Sequence, residues 1–267
     1  MNQCIRYVLF TGAALFLLAA FATRAAADPV RLVAPNSVSL AHFGASVALS
    51  GQLLVVGAPD SDVGGNPGQG RVYVYRNMSG TWESVAQLDL PTAESDAHFG
   101  ASVAIAPGRI VVGAPGASAD GSPFRGAAFV FHRIGGEWQL EAKLASSDGR
   151  PLDRFGIVVA ASAKEILVGA PWAGSEYLPY QGVGVAYLFE LVKGQWLQRQ
   201  VFADPSPYDL VGQFGSAVAL HHGRALIGEP GYADAVGRSF LLERSKGTWN
   251  LSPFMTVLMA TVAPTAP

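Results

Sequence analysis

The residues best suited to chemistry in this chain are aromatic rings placed beside carboxylates. They are densest at residues 171–180 and recur at two later places. An exposed ring can stack on a sugar or anchor a protein interface, and a nearby carboxylate binds hydroxyls or basic groups. The alternative is that these rings pack on neighbouring elements and cap the core. The candidate ligand-binding residues are Trp172, Glu176, Tyr177, Tyr180, Tyr208, Asp209, Tyr232 and Asp234.

Metal-ligating residue types are sparse. Asp60, Asp62 and Asn66 offer oxygen atoms close together in sequence. Calcium takes about six to eight oxygens, several from carboxylates, and no bidentate acid follows at a suitable spacing. The adjacent pair His221-His222 supplies only two diverging ligands, too few for a zinc site. We therefore expect no resident cofactor, and calcium at Asp60, Asp62 and Asn66 is the metal candidate left open.

The chain contains neither a Gly-x-Ser-x-Gly nucleophile elbow nor a Walker loop. The glycine-rich segment 64–70 leads into a strand pattern, so no helix N-terminus is available to bind phosphate there. Paired carboxylates about 5–9.5 Å apart could still hydrolyse a polysaccharide. We expect a protein that is not an enzyme. A polysaccharide hydrolase or lyase and a calcium-stabilised scaffold stay as alternatives.

Composition limits the class of protein. Half of the 267 residues are hydrophobic, 14% are charged, and the net charge is −2. These values exclude a disordered chain and give no basic surface for nucleic acid. The 31 Gly and 17 Pro predict many turns, and therefore many short strands.

Those strands are organised by an internal repeat of about 56 residues, marked by motifs that occur four times in the same order. The first motif is Phe43-Gly44, Phe99-Gly100, Phe155-Gly156 and Phe214-Gly215. The second is Gly57-Ala58-Pro59, Gly113-Ala114-Pro115, Gly169-Ala170-Pro171 and the variant Gly228-Glu229-Pro230. A glycine before an aromatic strand and a tryptophan after a polar turn complete each repeat.

Each repeat reads as four antiparallel strands, which in the first repeat are predicted at residues 45–49, 53–56, 71–76 and 82–90. One such sheet cannot bury both of its apolar faces. Stacking four sheets around an axis buries them, which predicts an all-β propeller. The second-motif glycines then allow neighbouring sheets to approach closely, and the prolines end the second strands. The predicted repeats span 43–98, 99–154, 155–213 and 214–267 within one propeller domain, 28–267.

Residues 28–42 are an additional partial repeat, because 30–35 match the fourth-strand pattern at 86–91. We interpret them as a spare outer strand that completes or buttresses the last repeat, whose own fourth strand degenerates after Trp249. The alternative is an open array whose ring is completed by a second chain, as a homodimer.

The first 27 residues have the three parts of a secretory signal peptide. Arg6 precedes an almost wholly apolar run at residues 7–21, and Ala25-Ala26-Ala27 provides small residues before a cleavage site. The run is shorter than the ~20 residues of a membrane span. We predict cleavage after Ala27, a secreted or periplasmic location, and no membrane span in the mature protein.

The Phe-Gly and Gly-Ala-Pro motifs resemble those of FG-GAP repeat proteins, the family that includes the integrin α propeller, over about residues 30–250. The segment 142–156 is similar to the linker of bacterial secreted members. The resemblance implies a propeller outside the cytoplasm with a binding or adhesion role. The integrin-type calcium loop, Asp-x-Asp-x-Asp-Gly, is absent between the two motifs of every repeat here, so its metal sites do not transfer. Integrin propellers also have seven blades, and four repeats occur here.

In such a blade, the loops after the second strand and the linkers between repeats open on one side, which we call the long-loop face. Its segments hold twelve acids and, among bases, only Arg125, Arg150 and Arg154. The favoured hypothesis is a secreted binding or adhesion module that recognises a protein or carbohydrate through this face. The alternative is that these loops are simply polar and solvated. The acids are Asp60, Asp62, Glu94, Asp96, Asp120, Asp148, Asp153, Glu176, Asp204, Asp209, Glu229 and Asp234.

Overall fold

The computed structural model describes residues 30–35, 40–174, 182–205, 212–232 and 236–251. Its contacts divide the chain into one compact unit at residues 1–32 and another at 33–267. Of the first unit, only residues 30–32 are described, and they lie in no strand. The predicted signal peptide lies outside the described residues. Among those described, no helix has the length and hydropathy of a membrane span.

Within the described residues, the larger unit consists of four antiparallel four-stranded sheets, as the repeats predict, and each sheet follows chain order. We call the sheets blades 1 to 4. Their strands are β1 (Ser46–Ser50), β2 (Leu53–Ala58), β3 (Arg71–Met78), β4 (Thr81–Asp89), β5 (Ser102–Ala106), β6 (Arg109–Ala114), β7 (Ala127–Ile134), β8 (Glu137–Leu144), β9 (Val158–Ala161), β10 (Glu165–Ala170), β11 (Val185–Val192), β12 (Gln195–Ala203), β13 (Ala217–His221), β14 (Arg224–Glu229), β15 (Arg238–Ser245) and β16 (Thr248–Leu251).

Local sequence fixes where these strands end. Each second strand stops at the residue before the motif proline, because proline cannot donate to the ladder. The turn between β3 and β4 places Ser79 and Gly80 at φ values of 54° and 95°. Two successive positive φ values are typical of the type I′ turn, whose twist matches a two-residue hairpin. The outer hairpins of blades 1 to 3 also share a register shift at the same repeat position.

The core is divided among three blade junctions. The first strands pack in sequence, β1 on β5, β5 on β9 and β9 on β13, and each junction encloses its own apolar cluster. The Phe of each Phe-Gly motif packs against the aromatic third strand of its own blade. For example, the Phe99 and Phe129 ring centroids lie 5.7 Å apart, edge to face. The predicted all-β fold of four-stranded propeller blades is therefore confirmed.

The motif glycines make the close approach between blades possible. A Cβ built on Gly113 would lie 1.9 Å from the carbonyl oxygen of Gly156 in the next blade. Gly57 and Gly169 would meet the oxygens of Gly100 and Gly215 in the same way, each at 2.0 Å. No larger residue fits these positions unless the blades move apart.

Val33, at the start of the larger unit, contacts the first blade. The Tyr75 hydroxyl donates to the backbone oxygen of Val33 at 2.9 Å. The described residues 30–35 form no ladder, and the fourth strand of blade 4 is Thr248–Leu251 from the chain's own last repeat. Completion of the last blade by the N-terminal segment stays a prediction.

Candidate functional site

Contacts between loops and linkers confirm that both lie at one edge of the blades. Glu94, in the linker between blades 1 and 2, accepts hydrogen bonds from the backbone nitrogen and hydroxyl of Ser118 in the blade 2 loop. The Arg154 guanidinium, in the next linker, lies over the rings of Phe124 and Trp172 in the loops of blades 2 and 3. The long-loop face is therefore a continuous surface across the first three blades.

Two histidines share one carboxylate on this face. Nδ1 of His98 lies 2.7 Å from Oδ1 of Asp60, and Nδ1 of His42 contacts Oδ2 of the same side chain. His42 and His98 are the residues before the first two Phe-Gly pairs, and both have left-handed φ values, 50° and 52°. Asp60 follows the Gly-Ala-Pro of blade 1. From there its side chain contacts one histidine at each end of the first repeat. The sequence shows the equivalence of the histidines, but their common partner becomes visible only in three dimensions.

The three oxygen donors proposed for calcium are engaged separately. Asp60 faces the histidines, Asp62 Oδ1 accepts the Gly68 backbone N–H at 3.0 Å, and the Asn66 amide donates to the Val63 oxygen. No group of three His, Cys, Asp or Glu side chains suited to a metal occurs among the described residues. The structure does not gather the predicted calcium donors into one shell.

Most of the described acids on this face bind groups of the protein itself. Arg125 donates to Asp120 at 2.8 Å, and the Arg150 backbone nitrogen donates to Asp153 at 2.7 Å. Arg238 forms ion pairs at 2.5 Å with both Asp204 and Glu229, whose side chains are almost fully buried. Arg238 was not among the bases assigned to this face by sequence, because it lies at the start of a strand.

The junction of blades 2 and 3 also perturbs two titratable groups. Burial raises the pKa of the Asp153 carboxyl above its usual value, against the opposing effect of the Arg150 backbone N–H. Burial, together with the nearby Asp148 carboxylate, likewise raises the pKa of Tyr187. The Tyr187 hydroxyl donates to Asp148 at 3.0 Å across the junction. The Asp148 carboxylate thereby connects the linker to blade 3, whereas Asp153 bonds within the linker itself.

Asp62 and Asp96 are different. Both residues are exposed, and neither forms an ion pair within the described part of the chain. They come from separate segments, the blade 1 loop and the following linker, and converge on Gly68. Asp62 accepts the Gly68 N–H, while a Cβ built on Gly68 would lie 3.0 Å from Asp96 Oδ1. They form a small anionic surface that solvent reaches.

The described aromatic candidates are held by arginines. Arg154 Cζ lies 5.3 Å from the Phe124 centroid and 5.1 Å from that of half-buried Trp172. Arg238 Cζ lies 3.6 Å from the ring of Tyr232. Trp172 and Tyr232 therefore each contact an arginine of the protein itself. This agrees with the alternative in which loop aromatics pack on neighbouring elements. The other candidates, Glu176, Tyr177, Tyr180, Tyr208, Asp209 and Asp234, lie outside the described residues.

The opposite edge of the blades carries the short turns. His221, the last residue of β13, and His222, in the following turn, lie there with exposed rings in contact and 4.0 Å between centroids. A small apolar cavity of about 70 Å³ lies elsewhere, between blades 3 and 4, and Phe202, Phe240 and Leu251 are among its lining residues. It presents no acid that could act with a second carboxylate on a substrate.

Comparison with known families identifies the repeat. The model of a family described as FG-GAP repeat matches residues 28–75, 82–131 and 138–189, more than half of the chain. The second and third matches begin in the outer strands β4 and β8 and end in the third strands of the next sheets, β7 and β11, so each of them spans a blade junction. No curated protein matches the chain.

Proposed function

Because the chain belongs to the FG-GAP repeat family, we propose that it is an exported, non-catalytic binding module whose long-loop face recognises a protein or carbohydrate ligand. Propellers of this family are generally non-catalytic, which supports a binding role over an enzymatic one. Loops on a rigid scaffold are also the usual location of recognition residues.

The observation that carries this proposal is the division of acids on the long-loop face. Asp120, Asp204 and Glu229 form ion pairs with the protein's own arginines. Asp62 and Asp96, exposed beside Gly68, form no such ion pair among the described residues. Carboxylates left to solvent can accept hydrogen bonds from sugar hydroxyls or from the basic groups of a protein.

The test is binding of the purified protein to arrays of glycans and of extracellular proteins. We expect Asp62→Asn combined with Asp96→Asn to lose at least about tenfold in affinity for the probe that wild type retains best. The matched control is Glu83→Gln with Glu137→Gln, which removes two exposed charges from β4 and β8 without touching the long-loop face. Recognition through this anionic surface would be refuted if both double variants bind the probe as strongly as wild type. It would also be refuted if both lose affinity to the same extent.

A second variant separates the aromatic part of the face from its carboxylates. Trp172→Ala removes a ring that stacks on Arg154, whereas Phe124→Ala removes the other ring from the same cation. If Trp172 contacts the ligand, its replacement weakens binding more than replacement of Phe124 does, while both lower thermal stability to a similar extent. Identical binding by the two variants assigns Trp172 a structural role only.

Export follows from the predicted signal peptide and has its own test. N-terminal sequencing of the protein recovered outside the cytoplasm of an expressing bacterium should begin at Asp28. A chain retained in the cytoplasm with Met1 intact would contradict export, whatever its binding properties.

A further inference from the structure

The two ends of the blade array carry apolar sheet faces that the described residues leave open. The leading face belongs to blade 1 and contains Phe43, Val47 and Leu49. The trailing face belongs to blade 4 and contains Ala217, Ala219 and Leu226. Val47 and Leu49 are 64% and 68% exposed, and Leu226 is 42% exposed. Exposed apolar patches of this kind mark interaction sites.

Residues at the same repeat positions show what these faces are built to contact. Val47 corresponds to Val103 and Val159. Val103 packs into the apolar cluster between blades 1 and 2, and Val159 packs into the one between blades 2 and 3. Leu226 corresponds to Val55, Val111 and Leu167, each of which is fully buried against the following blade. A leading face therefore fits a trailing face, because three such pairings already exist within the molecule.

The motif glycines show the same complementarity. At an internal junction, the second-motif glycine of one blade abuts the Phe-Gly glycine of the next. Around Gly228 the nearest atom to a built Cβ is Ala217 Cβ of its own strand pair, at 3.3 Å. Around Gly44 nothing lies within 4 Å. Gly44 at the leading end and Gly228 at the trailing end therefore occupy the positions of the junction glycines. Among the described residues, no other blade lies against either of them.

Within the described residues, one molecule leaves the β1 part of its leading face exposed, while Val56 and Tyr73 of the same face are buried. β13 does not pack on β1 in the way that neighbouring first strands pack at the three junctions. Val33, held by Tyr75, leaves Val47 and Leu49 exposed.

We propose that a second copy of this chain docks head to tail, with the trailing face of each copy on the leading face of the other. The assembly is a closed ring of eight blades. Propellers typically have four to eight blades, so two copies reach the upper end of that range and three would exceed it. Two heterologous contacts that close on themselves give a finite dimer. This inference concerns assembly and is independent of which ligand the long-loop face binds.

The test is sedimentation velocity of the purified wild-type protein and of three Leu-to-Asp variants. Leu49→Asp alters the leading face and Leu226→Asp the trailing face. Leu140→Asp is the matched control, because Leu140 is 46% exposed on β8 of an internal blade. We expect wild type and Leu140→Asp to be dimers, and each end variant to dissociate with a dissociation constant raised at least about tenfold.

Mixing the two end variants tests the head-to-tail arrangement. Leu49→Asp and Leu226→Asp together retain one intact pairing, so the mixture should form a heterodimer that neither variant forms alone. Circular dichroism checks folding, and Leu49→Ser with Leu226→Ser replaces any Asp variant that does not fold. A monomeric wild type, a dimer sensitive to only one of the two end substitutions, or an open filament would each overturn the proposal.

Discussion

The junction between blades 2 and 3 and the outward face of blade 1 are built from equivalent residues, but only the junction is filled. Phe155 and Val159 are buried there, at 0% and 7% exposure. Their equivalents Phe43 and Val47 are half-buried and exposed. The repeat motif therefore specifies a contact surface, and the neighbouring blade determines how much stability that surface contributes. Three sets of substitutions test this dependence on the neighbouring blade.

The largest effect is expected at the glycines. Gly113→Val places a side chain where even a Cβ would meet the Gly156 oxygen at 1.9 Å, so blades 2 and 3 must separate. We expect a loss of about 4 kcal/mol or more in the free energy of unfolding, measured by urea denaturation.

The control is Gly228→Ala at the trailing face, compared with Gly113→Ala in the junction. The Gly228 Cβ position has no described atom nearer than 3.3 Å, so in dilute, monomeric protein we expect a change within about 1 kcal/mol. Similar losses for the two alanine variants would contradict the close approach of blades 2 and 3.

An intermediate effect is expected for buried leucine. Leu167→Ala removes a fully buried side chain from the junction of blades 3 and 4, which should cost about 3 kcal/mol. The equivalent Leu226→Ala, made at the exposed trailing face, should cost less than about 1 kcal/mol in the monomer. Thermal melts at low protein concentration measure both, and a larger loss at Leu226 would show that this face is covered within one chain.

The smallest effect depends on pH. Arg109 donates to both oxygens of Glu141, at 2.6 and 2.8 Å, and Trp196 of the next blade donates to one of them at 3.3 Å. The Arg109 hydrogen bonds lower the pKa of Glu141 below its ordinary value of 4.5. A lowered pKa means that this stabilisation is present above pH 4.5 and is lost as the pH falls through the folded-state pKa.

Glu141→Gln should therefore reduce stability at neutral pH and flatten its decline in acid. Glu137→Gln, at an exposed position of the same strand, should leave the pH profile unchanged. Urea midpoints between pH 3 and pH 7 give the comparison. If the urea midpoint of Glu141→Gln falls in acid as much as that of wild type, other carboxylates cause the loss of stability.

The fold could be predicted because its determinants are local and repeated. Phe-Gly followed by Gly-Ala-Pro sets the length of each inner hairpin, and the proline ends β2 at Ala58. The predicted first-repeat strands agree with the observed ones to within two residues at each end. The sequence allows both a closed ring and an open array, since a repeat carries the same residues with or without a neighbour.

The candidate site was less predictable, because loop pairing depends on contacts between distant segments. The long-loop segments hold twelve acids in the sequence, but Arg238 reaches this face from a strand and pairs with the buried Asp204 and Glu229. The shared contact of Asp60 with His42 and His98 spans a whole repeat. Asp62 and Asp96 also converge from two segments, so sequence alone did not separate them from the paired acids.

Amide hydrogen exchange of the Leu226→Asp variant tests most directly whether neighbours, rather than motifs, determine local stability. This variant cannot offer an intact trailing face to another copy. We expect slow exchange in Ser102–Ala106, which packs between two blades, and markedly faster exchange in its equivalent Ser46–Ser50. Equally slow exchange in both strands would contradict it.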